Sequence, residues 1–97
     1  MFYAKMHEGN NSSITAVCDE DIIGKIYREK NKVLNISEGF YKGRLVSEDE
    51  LKAIFKKSIN INIVGKNCIN LAIREGIADK NSVIYIKGIP FMQVYYI

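Results

Sequence analysis

The sequence predicts a single small α+β domain, residues 1–97, built on a mixed or antiparallel sheet with two main helices. Its 97 residues are 47% hydrophobic and 26% charged, with one proline and seven glycines, which is typical of one globular domain. Several short segments alternate apolar and polar residues with the period of a β-strand. Two longer segments, about 47–58 and 66–75, instead repeat apolar residues at helical spacing.

The chain opens with a predicted β-hairpin. Residues 2–7 and 13–18 each alternate between apolar and polar side chains, and residues 8–11, Glu-Gly-Asn-Asn, favour a turn between them. The acidic residues 19–21 end the second strand. Residues 22–24, Ile-Ile-Gly, then favour a short capped helical turn, with the entry to a strand as the alternative.

A second hairpin with a charged tip is predicted next. Residues 26–27 and 33–36 are mostly apolar, and the five residues between them, Arg-Glu-Lys-Asn-Lys, are all polar. Residues 37–43 are predicted to form a compact connection. Residues 44–46 are predicted as a brief extended segment.

The first main helix has a strong start signal at Ser47. Ser47 and Glu50 have the spacing of a capping box, and Val46 and Leu51 have that of a hydrophobic staple. Acidic residues come first in this segment and lysines later, which matches the helix dipole. The predicted buried stripe consists of Leu51, Ile54, Phe55 and Ile59.

The last third of the chain predicts a strand, a second helix and a closing strand pair. Residues 59–64 alternate for six positions, which favours a strand, although extended coil across the core fits the same pattern. The helix at 66–75 is followed by Gly76, a typical C-terminal cap. Residues 83–86 and 91–97 have apolar side chains on both faces, so we predict strands covered on both sides.

Few residues have the spacing of a catalytic or metal site. Cys18 and Cys68 both lie in apolar runs and are predicted to be reduced core thiols. His7 is the sole histidine, and no Cys-x-x-Cys or His-x-x-x-His motif is present. We therefore predict no catalytic residue, no metal ligand and no cofactor. Because neither a signal peptide nor a membrane-spanning apolar run is found, the predicted location is the cytoplasm.

Residues Gly65, Lys66 and Asn67 form a candidate anion site. They open the second helix, and a helix N-terminus presents free N–H groups and positive potential. The spacing is not that of a phosphate-binding loop or a dinucleotide fold. A glycine that only turns the chain explains the same residues.

Positive charge is concentrated between residues 25 and 44, where six cations and two carboxylates give a net charge of +4. Basic residues interleaved with aromatic residues on a sheet suit single-stranded RNA, which is bound by phosphate neutralisation and stacking. A solvated hairpin with its aromatic residues in the core is the alternative explanation. The candidate nucleic-acid-binding residues are Lys25, Arg28, Lys30, Lys32, Lys42 and Arg44, with Tyr27 and Tyr41.

Four stretches, in this order and spacing, resemble a small archaeal family known as domain of unknown function number four hundred and twenty-four. They are residues 16–25, 40–43, 62–66 with 71–73, and 88–90, and the resemblance extends over nearly the whole chain. The resemblance implies an archaeal, intracellular α+β protein. It implies no established activity.

These observations together predict a non-enzymatic binding module associated with RNA or a ribonucleoprotein in an archaeal cytoplasm. Two alternatives stay open. The first is a small-molecule enzyme or ligand-binding subunit with a pocket near Gly65–Asn67 and the acidic residues 19–21. The second is a protein-interaction subunit or a homodimer formed through an edge strand. No membrane partner is predicted.

Overall fold

The computed structural model describes residues 1–9 and 12–96, which form eight β-strands, three α-helices and two short 3-10 turns. The strands are Phe2–Glu8 (β1), Ser13–Asp19 (β2), Ile26–Glu29 (β3), Lys32–Asn35 (β4), Arg44–Val46 (β5), Asn60–Val64 (β6), Ile84–Ile86 (β7) and Ile89–Tyr95 (β8). The helices are Glu38–Tyr41 (α1), Glu48–Lys57 (α2) and Lys66–Arg74 (α3). Short 3-10 turns lie at Glu20–Ile22 and Lys80–Ser82.

Six strands form one mixed sheet in the order β5-β1-β2-β6-β8-β7. The β2–β6 pair is parallel, and the other four pairs are antiparallel. Strands β3 and β4 form a separate antiparallel hairpin. The predicted α+β class, mixed sheet, two hairpins and two main helices are therefore confirmed.

The sheet separates two apolar clusters. Helices α2 and α3 cover one face, where Leu51 and Phe55 pack with residues such as Val17 of β2. The β3–β4 hairpin and α1 cover part of the other face, around Ala16 and Cys18. Ala16, Val17 and Cys18 of β2 point alternately to opposite faces and are all fully buried, because β2 lies in the middle of the sheet.

Helix α2 begins as its sequence predicts. The Ser47 hydroxyl accepts a hydrogen bond from the Glu50 backbone N–H at 3.2 Å, and Glu50 accepts one from the Ser47 N–H at 3.0 Å. Leu51 and Phe55 are buried as expected. Ile59 is 57% exposed, so its predicted place in the buried stripe is wrong, because the helix already ends at Ser58.

The closing strands are less buried than predicted. Strand β7 is an edge strand, and its residues Ile84 and Tyr85 are 48% and 59% exposed. Only Ile86 of β7 is buried, beneath the β3–β4 hairpin. The prediction that both strands are covered on both sides is therefore wrong for β7. Apolar side chains on both faces do not require burial, because apolar residues also occupy the open margin of a sheet. The end of the predicted last strand, Ile97, lies outside the described residues.

The segment predicted as a compact connection contains α1, a single helical turn that docks on β1. The Lys5 ammonium donates a hydrogen bond to the Gly39 carbonyl at 2.8 Å. His7 Nε2 donates one to the Phe40 carbonyl at 2.7 Å, and the two rings stack with centroids 4.5 Å apart. In the predicted first turn, Asn10 and Asn11 lie outside the described residues. None of the described helices is long and apolar enough to cross a membrane.

Gly43 lies where the chain leaves α1 and passes directly against β1. A β-carbon at Gly43 would collide with the Ala4 carbonyl oxygen and with the backbone of Lys5. These are backbone atoms of a paired strand, so they have little room to move. A close approach of two backbones therefore requires glycine at this position.

Replacing Gly43 by alanine tests this close approach. We expect Gly43→Ala to lower the free energy of unfolding by about 2 kcal/mol, because overpacking forces β1 and the α1–β5 connection apart. Gly39→Ala is the matched control, since nothing lies within 4 Å of a β-carbon at Gly39 in α1. The control is expected to be neutral or stabilising by about 0.5 kcal/mol. Equal effects of the two substitutions in urea unfolding would contradict the steric explanation.

Candidate functional site

Four of the predicted cations lie together on the β3–β4 hairpin. Lys25, Arg28, Lys30 and Lys32 are all exposed. Within residues 1–9 and 12–96, none of the four forms an ion pair with a carboxylate. We call residues 25–35 the basic hairpin. Its four cations and single carboxylate, Glu29, give a net charge of +3, equal to that of the whole chain.

The other two predicted cations are engaged elsewhere. The Lys42 ammonium lies 3.5 Å from the Glu38 carboxylate, on α1 and its end. The Arg44 guanidinium lies 3.1 Å from the Glu50 carboxylate, between β5 and α2. These exposed pairs contribute little to stability, but they offset the positive charge of both residues locally. The predicted group of six cations is therefore reduced to the four of the basic hairpin.

The two predicted stacking tyrosines are not on the outer face of the basic hairpin. Tyr41 is only 7% exposed and belongs to the core beneath α1. Tyr27 is half-buried and packs against the same core, on the inner face shared with Leu34. The outer face instead exposes Ile26 and Val33, at 52% and 53%. The aromatic alternation in the sequence therefore reflects core packing, which was the alternative explanation.

The tip of the basic hairpin is held against the turn between β7 and β8. The Lys87 backbone N–H donates a hydrogen bond to the Glu29 carboxylate at 2.9 Å. This contact uses the one acidic side chain of the hairpin as a structural acceptor. It also brings Lys87, an exposed fifth cation, next to the hairpin tip.

The candidate anion site at the start of α3 already holds an anion, the carboxylate of Asp19. Asp19 ends β2 and is 5% exposed. Its Oδ2 accepts a hydrogen bond from the Asn67 N–H at 3.0 Å, and its Oδ1 accepts one from the Cys68 N–H at 2.8 Å. The helix N-terminus therefore binds an anion, but that anion is the Asp19 side chain of the same protein.

Gly65 makes room for this carboxylate. It has a φ of 112°, and a β-carbon there would collide with the Asp19 carboxylate. Gly65 therefore provides no side chain to cap its own helix, and Asp19 does so from another strand. The sequence predicts only that Asp19, with the other acidic residues, ends the second strand. One feature of the sequence indicates a cap from elsewhere in the chain: the helix begins with Gly-Lys-Asn and has no Ser, Thr or Asp of its own at the N-cap position.

The thiols near this site stay protonated. Burial, and then the charge of Asp19, raise the pKa of Cys18 to about 12. The same two causes, in the same order, raise the pKa of Cys68 well above its usual value. Burial, with the two thiols adding to it, raises the pKa of Tyr41 to about 12. Both cysteines are free and buried, as predicted, and neither is a thiolate at neutral pH.

A cleft lies beside α3. It has a volume of about 660 Å³ and includes Asn67, but it includes neither Gly65 nor Lys66. A smaller depression of about 380 Å³ next to it is lined by Met1, Glu20 and Asp21. Within the described residues, no group of three or more His, Cys, Asp or Glu side chains is placed to hold a metal ion. The cleft is lined by Met1, Phe2, Glu48, Asn67, Asn70, Ile73 and Arg74.

Comparisons with known proteins identify relatives of uncharacterised activity. A family model described as "Protein of unknown function (DUF424)" matches residues 6–97. The crystal structure of an uncharacterized conserved protein from Methanopyrus kandleri is similar, with a TM-score of 0.81 and 26% sequence identity. The match covers 97% of this chain and 90% of that chain. No curated protein matches the chain.

The raised pKa values predict a loss of stability at alkaline pH. In the unfolded chain a cysteine ionises near about pH 8.5, whereas Cys18 and Cys68 stay protonated in the fold. The folded state then binds more protons than the unfolded state. Stability is therefore complete below the unfolded pKa and falls as the pH rises towards the folded pKa, by about 1.4 kcal/mol per pH unit for each thiol.

Urea unfolding at several pH values measures this slope. The double variant Cys18→Ala/Cys68→Ala is expected to be less stable at neutral pH but nearly insensitive to pH between about 9 and 10. Each single variant should show about half of the original slope, by the same proton count. A double variant that keeps the full slope would show that other groups cause it.

Proposed function

We propose that this chain, which belongs to the DUF424 family of proteins of unknown function, is a non-enzymatic module that binds RNA. The basic hairpin is the proposed contact surface. The RNA is either free or part of a ribonucleoprotein in an archaeal cytoplasm. The match to a protein from Methanopyrus kandleri supports the archaeal context, and the two free, buried thiols fit a reducing compartment.

One observation carries this proposal: the net charge of the chain is concentrated in an eleven-residue hairpin whose four cations are exposed. Cations without a carboxylate partner are free to neutralise phosphates and release counterions. Charge spread evenly over the surface would give only a weak local potential. A hairpin with four exposed cations and a net charge of +3 concentrates the potential where a polyanion can approach it.

The outer face of the basic hairpin supports backbone contacts more than base contacts. Arg28 is paired across the strands with Val33, and Ile26 lies on the same face. This face combines a guanidinium, which hydrogen-bonds phosphate, with small apolar surfaces that can pack on ribose. It has no aromatic ring for stacking, because Tyr27 faces the core. We therefore expect the hairpin to bind RNA with little dependence on sequence.

The chemistry of the buried polar groups supports a non-enzymatic role. Both thiols are protonated at neutral pH, so neither is an activated nucleophile. Both carboxylate oxygens of Asp19 accept backbone hydrogen bonds and are not available to a substrate. The burial of the thiols and the hydrogen bonds of Asp19 therefore fit a structural role and require no catalytic one.

Two other roles have specific support. The cleft beside Asn67 supports a ligand-binding subunit, since its volume suits a small molecule. The unpaired outer edge of β7, with Ile84 and Tyr85 exposed, supports a homodimer. A dimer would appear as a rise in mass with protein concentration in light scattering. Neither role depends on the basic hairpin, so variants of the hairpin separate both from RNA binding.

The salt dependence of RNA binding tests the proposal. We expect fluorescence anisotropy with a short single-stranded RNA to give a slope of about −3 for log affinity against log salt concentration, because four phosphates are neutralised. The variant Lys30→Gln/Lys32→Gln should reduce the magnitude of this slope by about 1.4 and weaken binding at every salt concentration.

The matched control is Lys56→Gln/Lys57→Gln, which removes the same charge from α2 on the opposite face of the sheet. It is expected to leave the slope unchanged. Equal losses in the two variants would mean that only net charge matters, and the hairpin would not be the binding surface. Affinity that is absent, or that does not vary with salt, would overturn RNA binding altogether.

A further inference from the structure

Part of the sheet face that carries the basic hairpin is left uncovered. On this face of β6 and β8, Asn62 is paired with Gln93, and Asn60 is paired with Tyr95. These four residues are half-buried or exposed, and Tyr95 is 63% exposed. We call them the amide face. Strand β7 pairs with β8 only as far as Phe91, so the sheet margin beside Gln93 and Tyr95 is open.

The basic hairpin and the amide face lie on the same side of the sheet. Side chains alternate along β6, so Asn60 and Asn62 point to the face that includes Val64. Val64 belongs to the cluster under the hairpin, together with Leu34 and Ile36. Ile61 and Ile63 point to the opposite face and pack under α2 and α3. A chain bound to the hairpin can therefore continue onto the amide face without crossing the sheet.

The composition of the amide face is unusual for the middle of a sheet. Residues in such positions are normally apolar, aromatic or β-branched, whereas three of these four are amides. The Gln93 side-chain N–H donates a hydrogen bond to Oδ1 of the Asn60 side chain at 2.9 Å, which fixes both side chains. Within the described residues, the side-chain amide of Asn62 forms no hydrogen bond, so its N–H donors and its oxygen acceptor are free.

A free side-chain amide on the same sheet face as an exposed ring suits nucleobases. An Asn or Gln side chain presents a donor and an acceptor side by side, and adenine presents the complementary pair. Single-stranded RNA is recognised on open sheets by such hydrogen bonds and by stacking on aromatic rings. The neutral amide face fits an uncharged base, whereas the basic hairpin fits the charged backbone. The two surfaces thus match the two parts of a nucleotide chain.

We propose that the amide face binds unpaired bases of the RNA held by the basic hairpin, with Asn62 recognising adenine and Tyr95 stacking on a neighbouring base. This inference rests on the proposed function, because the hairpin supplies the attraction for the strand. It adds the sequence preference that the hairpin lacks. A protein strand added to the open margin of β8 is the competing occupant, and it would use backbone groups instead of the side-chain amides.

Uncharged nucleosides separate this inference from the charge of the hairpin. In a titration followed by NMR, adenosine is expected to shift the side-chain amide signals of Asn62 and Gln93 and the ring signals of Tyr95, to saturation. Ribose alone should shift none of them. The hairpin variant Lys30→Gln/Lys32→Gln should give the same response to adenosine, because an uncharged ligand needs no cation.

A second measurement uses single-stranded RNA of one length and two compositions. Adenine-rich RNA is expected to bind about 10-fold more tightly than uracil-rich RNA, and Asn62→Leu, which keeps the side-chain shape, should bring that ratio close to 1. The control Asn81→Leu changes an exposed amide on the turn before β7 and should leave the ratio unchanged.

The outcomes distinguish the two proposals. Salt-dependent RNA binding with no response of the amide face to adenosine would overturn this inference and leave the proposed function standing. Adenosine shifts at the amide face without salt-dependent RNA binding would overturn the role of the hairpin instead. Backbone shifts along β8 without side-chain amide shifts would likewise contradict base recognition.

Discussion

The fold depends on one carboxylate, that of Asp19, which joins the two halves of the chain. It ends β2 and caps α3, whose preceding strand β6 is the parallel neighbour of β2. Gly65 is the residue at which β6 turns into α3, and only glycine leaves space for the carboxylate. This contact fixes where α3 begins and holds its first turn, with Cys68, against the end of β2. A charged acceptor at a helix N-terminus is among the stronger hydrogen-bonding arrangements in a protein.

This contact also explains where a ligand is expected to bind. In open α/β sheets, ligands commonly bind beyond the carboxyl ends of parallel strands, at the start of the following helix. Here that position belongs to Asp19, and both of its oxygens are engaged. The face that carries the basic hairpin is different, because hairpin and α1 cover it only in part. Charge on the hairpin, the free side-chain amide of Asn62 on β6 and the exposed ring of Tyr95 on β8 then become the surfaces with unused binding capacity.

Local patterns predicted the elements well, whereas contacts between distant residues were not predictable. The capping box of Ser47 and Glu50 and the alternation in β6 involve neighbours in sequence, so their signals survive without knowledge of the fold. Asp19 caps α3 through Asn67, which lies 48 residues further along the chain. No residue near Asp19 in the sequence identifies that helix as its partner. Exposure was the other difficulty: Tyr41, the last residue of α1, is buried in the core, although its neighbours Lys42 and Gly43 are exposed.

The capping role of Asp19 is tested most directly by Asp19→Asn, compared with Asp21→Asn at an exposed position two residues later. We expect Asp19→Asn to lower the free energy of unfolding by about 2 kcal/mol, because one backbone N–H loses its acceptor and the charge is removed. Hydrogen exchange of the Asn67 and Cys68 amides should accelerate in the same variant, while Asp21→Asn leaves both quantities unchanged. Equal stability of the two variants, with protected Asn67 and Cys68 amides in both, would contradict it.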